Sequence, residues 1–295
     1  MSRDVVFAFT EGYSDRYAYS RIVGDVCRQH GISATTINAD EIPDSGGGKV
    51  ALLTFFDYAK RHDLLAGRFK GKLTVSLFFL DKDLDNVRRT QRRSPHINYT
   101  STYELENLLF LNADLPNAVA AAAMIDPSSF GDEFTDQCAW CARAAAVWQH
   151  WVTLCAFSVL KAQNARGFYR RLTSRINASP YVATNHAGFV NELRMFEEDW
   201  DDSNIPFDRA FVSVEAQVQR AYDEGRADEF FKGTWYANFA YEDVRRLAGR
   251  RRWNSHGFHD RVICCLAMTL KHDCQWGQAL RQHIDELLRA PLNRS

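Results

Sequence analysis

Leu73-Thr74-Val75-Ser76-Leu77-Phe78-Phe79-Leu80-Asp81-Lys82-Asp83-Leu84-Asp85 is the stretch on which the fold turns. Its first eight residues form a nearly unbroken apolar run, the pattern of a strand buried on both faces. The run then stops abruptly in aspartates at alternate positions. Further out, Val5-Val6-Phe7-Ala8-Phe9-Thr10 has the same character and is also stopped by an acid, Glu11, followed by Gly12. Ser14 or Asp15 can then cap a helix whose apolar positions Tyr19, Ile22, Val23 and Val26 recur at helical spacing and end near Gly31. Ile32 to Ile37 reads as a weaker strand, Asp44 to Gly48 as a loop, and Lys49 to His62 as a helix through Leu52, Leu53 and Phe56. Strand, helix, strand, helix, strand implies right-handed crossovers and a parallel sheet.

Beyond residue 112 the pattern becomes helical. Ala113 to Ile125 is alanine-rich, and Asp136 to Leu160 reads as one long apolar-periodic stretch. Further helices are expected at 188–198, 208–224, 241–250, 259–271 and 275–288. The expected architecture is therefore an α/β domain over 1–112, a parallel sheet flanked by helices, followed by a mainly α-helical domain over 113–295. Of the 295 residues, 46% are hydrophobic and 13% aromatic, enough to build a core and too many for a disordered chain. Thirty-six basic residues against 37 acidic ones exclude a generally basic coat for nucleic acid. No apolar run reaches the roughly 18 residues that cross a bilayer. The amino terminus shows no cleavable leader pattern. Seven cysteines, an odd number that includes the neighbours Cys264 and Cys265, fit reduced thiols. The expectation is a cytoplasmic protein without a membrane partner.

The acidic residues carry the chemistry. Glu11 and the Asp81, Asp83, Asp85 series sit at the carboxyl ends of two strands, where open parallel sheets place their sites. Glu104 and Glu106 follow where a polar stretch meets an apolar one. If Asp81 to Asp85 continues extended, its three aspartates project on one side. Carboxylates held so close repel one another unless a cation lies between them. Magnesium, with manganese as the alternative, suits such oxygen donors and a phosphate substrate. Glu11 would then be a further ligand or a general acid/base. An Asp-x-Asp after a strand is also a common solvated turn.

Phe7-Ala8-Phe9-Thr10-Glu11-Gly12-Tyr13-Ser14-Asp15 and Phe78-Phe79-Leu80-Asp81-Lys82-Asp83 resemble the toprim domain of topoisomerases, primases and OLD-family nucleases. The Glu-Gly-x-Ser-Asp form looks most like the branch found in anti-phage systems, which includes the toprim effector subunit of the PARIS system. Tyr103-Glu104-Leu105-Glu106-Asn107-Leu108 matches a further element of that branch, and Phe231-Lys232-Gly233-Thr234-Trp235 is a candidate for a later Lys-Gly-Lys-like one, departing from it at Thr234. The resemblance implies Glu11 as general acid/base or metal ligand and Asp81 and Asp83 as magnesium ligands. Asp85 and Glu106 would be auxiliary ligands, with a second ion as one alternative, and Lys232 a catalytic cation facing phosphate. It implies a metal-dependent endonuclease, the effector of an anti-phage system, that cleaves RNA (transfer RNA included) or DNA after release from an ATPase partner. Two other expectations remain open. One is a non-catalytic module that binds nucleic acid or the ATPase as a regulator; the other is a metal-dependent nucleotide phosphohydrolase. A second copy of the chain is a further candidate partner.

Other features bear on substrate. Ser45-Gly46-Gly47-Gly48-Lys49 lacks the Walker frame, although a glycine loop ending in Lys49 could touch substrate phosphate. Arg88, Arg89, Arg92 and Arg93 follow the aspartates where a nucleic-acid backbone would enter. Two more basic clusters lie at Arg170-Arg171 and at Arg245-Arg246 with Arg250-Arg251-Arg252. Trp235, Tyr236 and Trp253 could stack bases but read more simply as core. Cys138 and Cys141 have half-zinc spacing with no second pair, and read as small hydrophobes in helix packing.

Overall fold

The computed structural model describes residues 4–43, 46–161, 176, 181, 184–200, 204–249 and 253–292. Ser45, Arg170, Arg171 and Arg250 to Arg252 lie outside the described residues.

Five strands form one sheet: β1 (Val5–Thr10), β2 (Ser33–Asn38), β3 (Ala66–Phe69), β4 (Lys72–Leu80) and β5 (Ile97–Tyr99). β1 lies parallel between β2 and β4. The far edge of β4 is shared, with β3 antiparallel along its first half and β5 parallel along its last three residues. The three expected strands are present. β3 and β5 are additions, both too short to show a period.

The apolar runs have a simple cause. On β4, Leu73, Val75, Leu77 and Phe79 face one way, with Val6 and Ala8 of β1, into a core shared with α1 (Tyr13–Gln29). Phe78 and Leu80 face the other way with Phe9, against Ala51, Leu52 and Phe56 of α2 (Gly48–Arg61). From Leu77 to Leu80, buried on both faces, the strand carries no polar residue.

After β4 the chain makes a short helix α3 (Asp85–Arg88), then β5, α4 (Leu105–Asn112) and α5 (Leu115–Ala123). The stretch expected as one long helix is two, α6 (Gln137–Val147) and α7 (Gln149–Leu160), broken at Trp148, whose ψ of 14° leaves the helical range. Trp148 turns its ring into a cluster with Trp235 and Phe239, so tertiary packing overrides the local periodicity. The remaining helices are α8 (His186–Glu198), α9 (Phe207–Asp223), α10 (Tyr236–Ala248), α11 (Phe258–Thr269) and α12 (Gln275–Leu292).

The α/β part and the helices share a core. One apolar cluster runs from Val6 and Ile22 through Leu109, Trp151 and Phe239 to Ile284, across residue 112. α12 returns to α1, where His30 Nε2 lies 2.7 Å from Asp285 Oδ1. Trp235 and Tyr236 are buried in this core, and Trp253 packs on Tyr241 and Phe258, as expected of core aromatics. Cys141 is buried, but Cys138 is exposed on α6, which corrects the expectation that both cysteines pack inside.

Candidate metal centre

Because β1 and β4 are parallel neighbours with Thr10 paired to Phe79, their carboxyl ends lie side by side. Glu11 follows Thr10 directly, and its Oε1 accepts the N–H of Asp81 at 2.8 Å. The Asp81 side chain crosses to the start of α4, where Oδ1 accepts the N–H of Leu105 at 2.9 Å. Glu104 and Glu106 flank Leu105. Ser14, in the first turn of α1, donates its hydroxyl to Glu106 Oε1 at 3.1 Å. Asp15 turns back on its own helix start, accepting the N–H of Gly12 at 3.0 Å. Two strand ends and two helix N-termini thus converge on one acidic pocket. The partial positive charge of the helix starts favours carboxylates there.

Asp81, Glu104 and Glu106 each offer a carboxylate oxygen, and the three atoms lie within 4.8 Å of one another. Donors on opposite sides of a magnesium ion stand roughly 4.2 Å apart, so small side-chain adjustments would close the set around one. The donors are all oxygen, which fits magnesium or manganese rather than a soft metal. One oxygen of each is anchored to the protein: Asp81 Oδ1 by Leu105, Glu106 Oε1 by Ser14 and Glu104 Oε1 by the N–H of Thr234.

The electrostatics match this shape. Burial pushes Glu11 up to about 8, and Asp83 and Asp15 repel it further, partly offset by Lys49 and the Asp81 N–H. Burial likewise pushes Glu104 up to about 8 and Asp15 to about 7, each repelled also by Glu106. Asp81 and Glu106 are raised for the same reason, burial first. Five carboxyls whose hold on a proton is strengthened by burial form a cluster that a divalent cation would discharge.

Asp83 and Asp85 depart from the extended geometry expected of them. The strand ends at Leu80, and Asp83 sits at φ +47°, in the left-handed region, with its N–H bonded to the Tyr103 carbonyl. The three aspartates therefore do not line one side. Asp81 points to α4, whereas Asp83 Oδ2 and Asp85 Oδ2 meet Lys49 Nζ at 2.8 and 2.6 Å. A left-handed aspartate is uncommon, and nothing in Asp-Lys-Asp announces it.

The distant Lys232 element does reach the pocket. Lys232 Nζ lies 3.7 Å from Glu104 Oε2, and the N–H of Thr234 donates to Glu104 Oε1 at 2.6 Å. Thr234, where the resemblance leads one to expect a second lysine, thus meets Glu104 through both its backbone N–H and its hydroxyl. Gly233 makes the approach feasible. A β-carbon there would stand 2.2 Å from the Asn107 nitrogen and 2.7 Å from the Glu106 carbonyl carbon. Asn107, fully buried, ties the two segments together: its Nδ2 donates to Asp228 Oδ1 and the Phe231 carbonyl, and its Oδ1 accepts the Glu104 N–H.

Arg88, Arg89 and Arg93 are exposed on and after α3, beside the aspartates. Arg92 is paired with Asp57 at 3.2 Å. Reading the sequence left Glu104 out of the ligand set and treated Asp15 as a cap only. One signal was available for Glu104: an asparagine three positions on, the spacing of a capping box that places the glutamate at the start of a helix. The sequence matches no protein-family model and no curated protein.

Proposed function

We propose that this chain is a magnesium-dependent, toprim-type nuclease whose metal centre is Asp81, Glu104 and Glu106, with Glu11 beside it. The observation that carries the proposal is the gathering of those three carboxylate oxygens within 4.8 Å at the carboxyl end of a parallel sheet. A magnesium ion there would polarise a phosphodiester and favour attack by water. Glu11, pushed up to about 8, is suited to pass a proton near neutral pH as general acid/base. Lys232 stands at the rim as a compact cation for the phosphate that Glu104 alone would repel. Arg88, Arg89 and Arg93 offer the entering backbone guanidinium groups. Asp83 and Asp85 contribute through Lys49 rather than as direct ligands. The resemblance extends the proposal to a toxic anti-phage effector, acting on RNA or DNA and restrained by an ATPase partner.

The test is expression of the wild-type chain, Glu11→Gln and Asp81→Asn in bacteria, alone and with a candidate ATPase partner, with total RNA and DNA then inspected. The purified proteins are assayed on both polymers and on free nucleotides with magnesium or manganese. Polymer cleavage by wild type and a loss of at least about a hundredfold in either folded variant are expected. An effect retained in both variants would point to a binding module. Product from free nucleotides alone would point to a phosphohydrolase.

A further inference from the structure

Lys49 is a largely covered cation at a place that works against it. It stands in the first turn of α2, where the helix dipole disfavours positive charge, and its side chain is only 15% exposed. Its ammonium is nonetheless held by three oxygens: Asp83 Oδ2 at 2.8 Å, Asp85 Oδ2 at 2.6 Å and the Asp81 carbonyl at 2.5 Å. Three acceptors satisfy all three ammonium donors. The ring of Tyr99 lies beneath, 5.6 Å from Nζ.

The glycines before Lys49 explain how it arrives there. Gly46, Gly47 and Gly48 take φ of +70°, +77° and +66°, a left-handed run open only to glycine at this length. At Gly47 a β-carbon would also fall 2.0 Å from Asp40 Oδ1. The loop that invites a phosphate-binding reading is instead a backbone device that carries one ammonium into the crevice. Asp81 joins this ammonium to the metal centre, its carbonyl facing Lys49 and its carboxylate belonging to the Asp81, Glu104, Glu106 set.

We propose that the Lys49 ammonium fills the second cation position of this site, so that each chain takes one divalent ion and not two. The inference rests on the metal centre proposed above. Lys49 is then a positioning residue that holds Asp83 and Asp85 together and offsets one of their two negative charges, at the place where a second metal ion would sit in a two-ion phosphotransfer site. A substrate phosphate can engage Lys49 only if one of its three present partners is given up.

Manganese stoichiometry, measured by calorimetric titration of the full chain and checked by equilibrium dialysis, decides the matter. One ion per chain is expected for wild type and for Lys49→Arg, which keeps the charge. Two are expected for Lys49→Met, where Asp83, Asp85 and the Asp81 carbonyl become free for a metal. One is expected for the Asp83→Asn/Asp85→Asn double variant, whose ion sits elsewhere, and this arm decides if Lys49→Met fails to fold by circular dichroism. Two ions on wild type, one on folded Lys49→Met, or none on the double variant would overturn the inference while leaving a metal centre in place. No ion on wild type would remove the metal centre itself, and the inference with it.

Discussion

Gly233 has no room for a side chain, and the two atoms it approaches most closely are backbone rather than a movable side-chain end. Gly233→Ala is therefore predicted to cost about 3 kcal/mol in urea unfolding, at the upper end of overpacking effects. It should weaken manganese binding as well, because the segment it displaces holds Glu104 through Thr234 and Lys232. A variant as stable as wild type would show that the contact is not made. The same residues mark the limit of what could be read along the chain. Glu11 and Asp81 were legible because each ends an apolar strand. Glu104 was legible as one of the acids but not as a member of the ligand set, because that place depends on a glycine and a threonine 129 and 130 positions away, a closeness no local pattern encodes. Asp83 was misplaced for a different reason, its left-handed backbone being set by the Tyr103 carbonyl.

Among elements, the decisive arrangement is the convergence of the α1 and α4 starts on the ends of β1 and β4. Ser14 is the side-chain link from α1 to Glu106 on α4. Ser14→Ala should lower divalent-ion affinity about tenfold, as loss of a ligand's supporting hydrogen bond commonly does. Thermal stability without the ion should change little, since a partly exposed hydrogen bond contributes only about 1 kcal/mol. Affinity within twofold of wild type would mean that Glu106 is not a ligand. The strands that set this convergence were readable because burial on both faces writes itself as an unbroken apolar run. β5 was not, since a three-residue strand has no period, although it pairs with the end of β4 and leads the chain to α4. The helices described in the second part were legible in place, but the break at Trp148 follows from an aromatic cluster assembled from three separate segments.

For the whole molecule, the acidic pocket is a cost carried by the surrounding core. Glu11 and Glu104, ordinarily near 4.5, are held up at about 8, and Asp15, ordinarily near 3.8, at about 7, burial being the first cause in each. The folded chain thus binds more protons than the unfolded one across this range. The contribution of these groups is fully present below the ordinary carboxylate values and is lost as pH rises through the folded ones. Without divalent ions, the melting temperature should fall between about pH 5 and pH 8. Magnesium must displace the same protons to bind, so its stabilising effect should grow over that interval. An ion effect that is constant or shrinking with pH would mean that the cation binds outside the pocket.

The central claim is that oxygen atoms from separate parts of the chain close around one hard cation. Anomalous diffraction from crystals grown with manganese tests it most directly. The account predicts a peak bounded by the carboxylates of Asp81, Glu104 and Glu106, with Glu11 adjacent. An empty pocket at saturating manganese, or a peak located only at surface carboxylates, would contradict it.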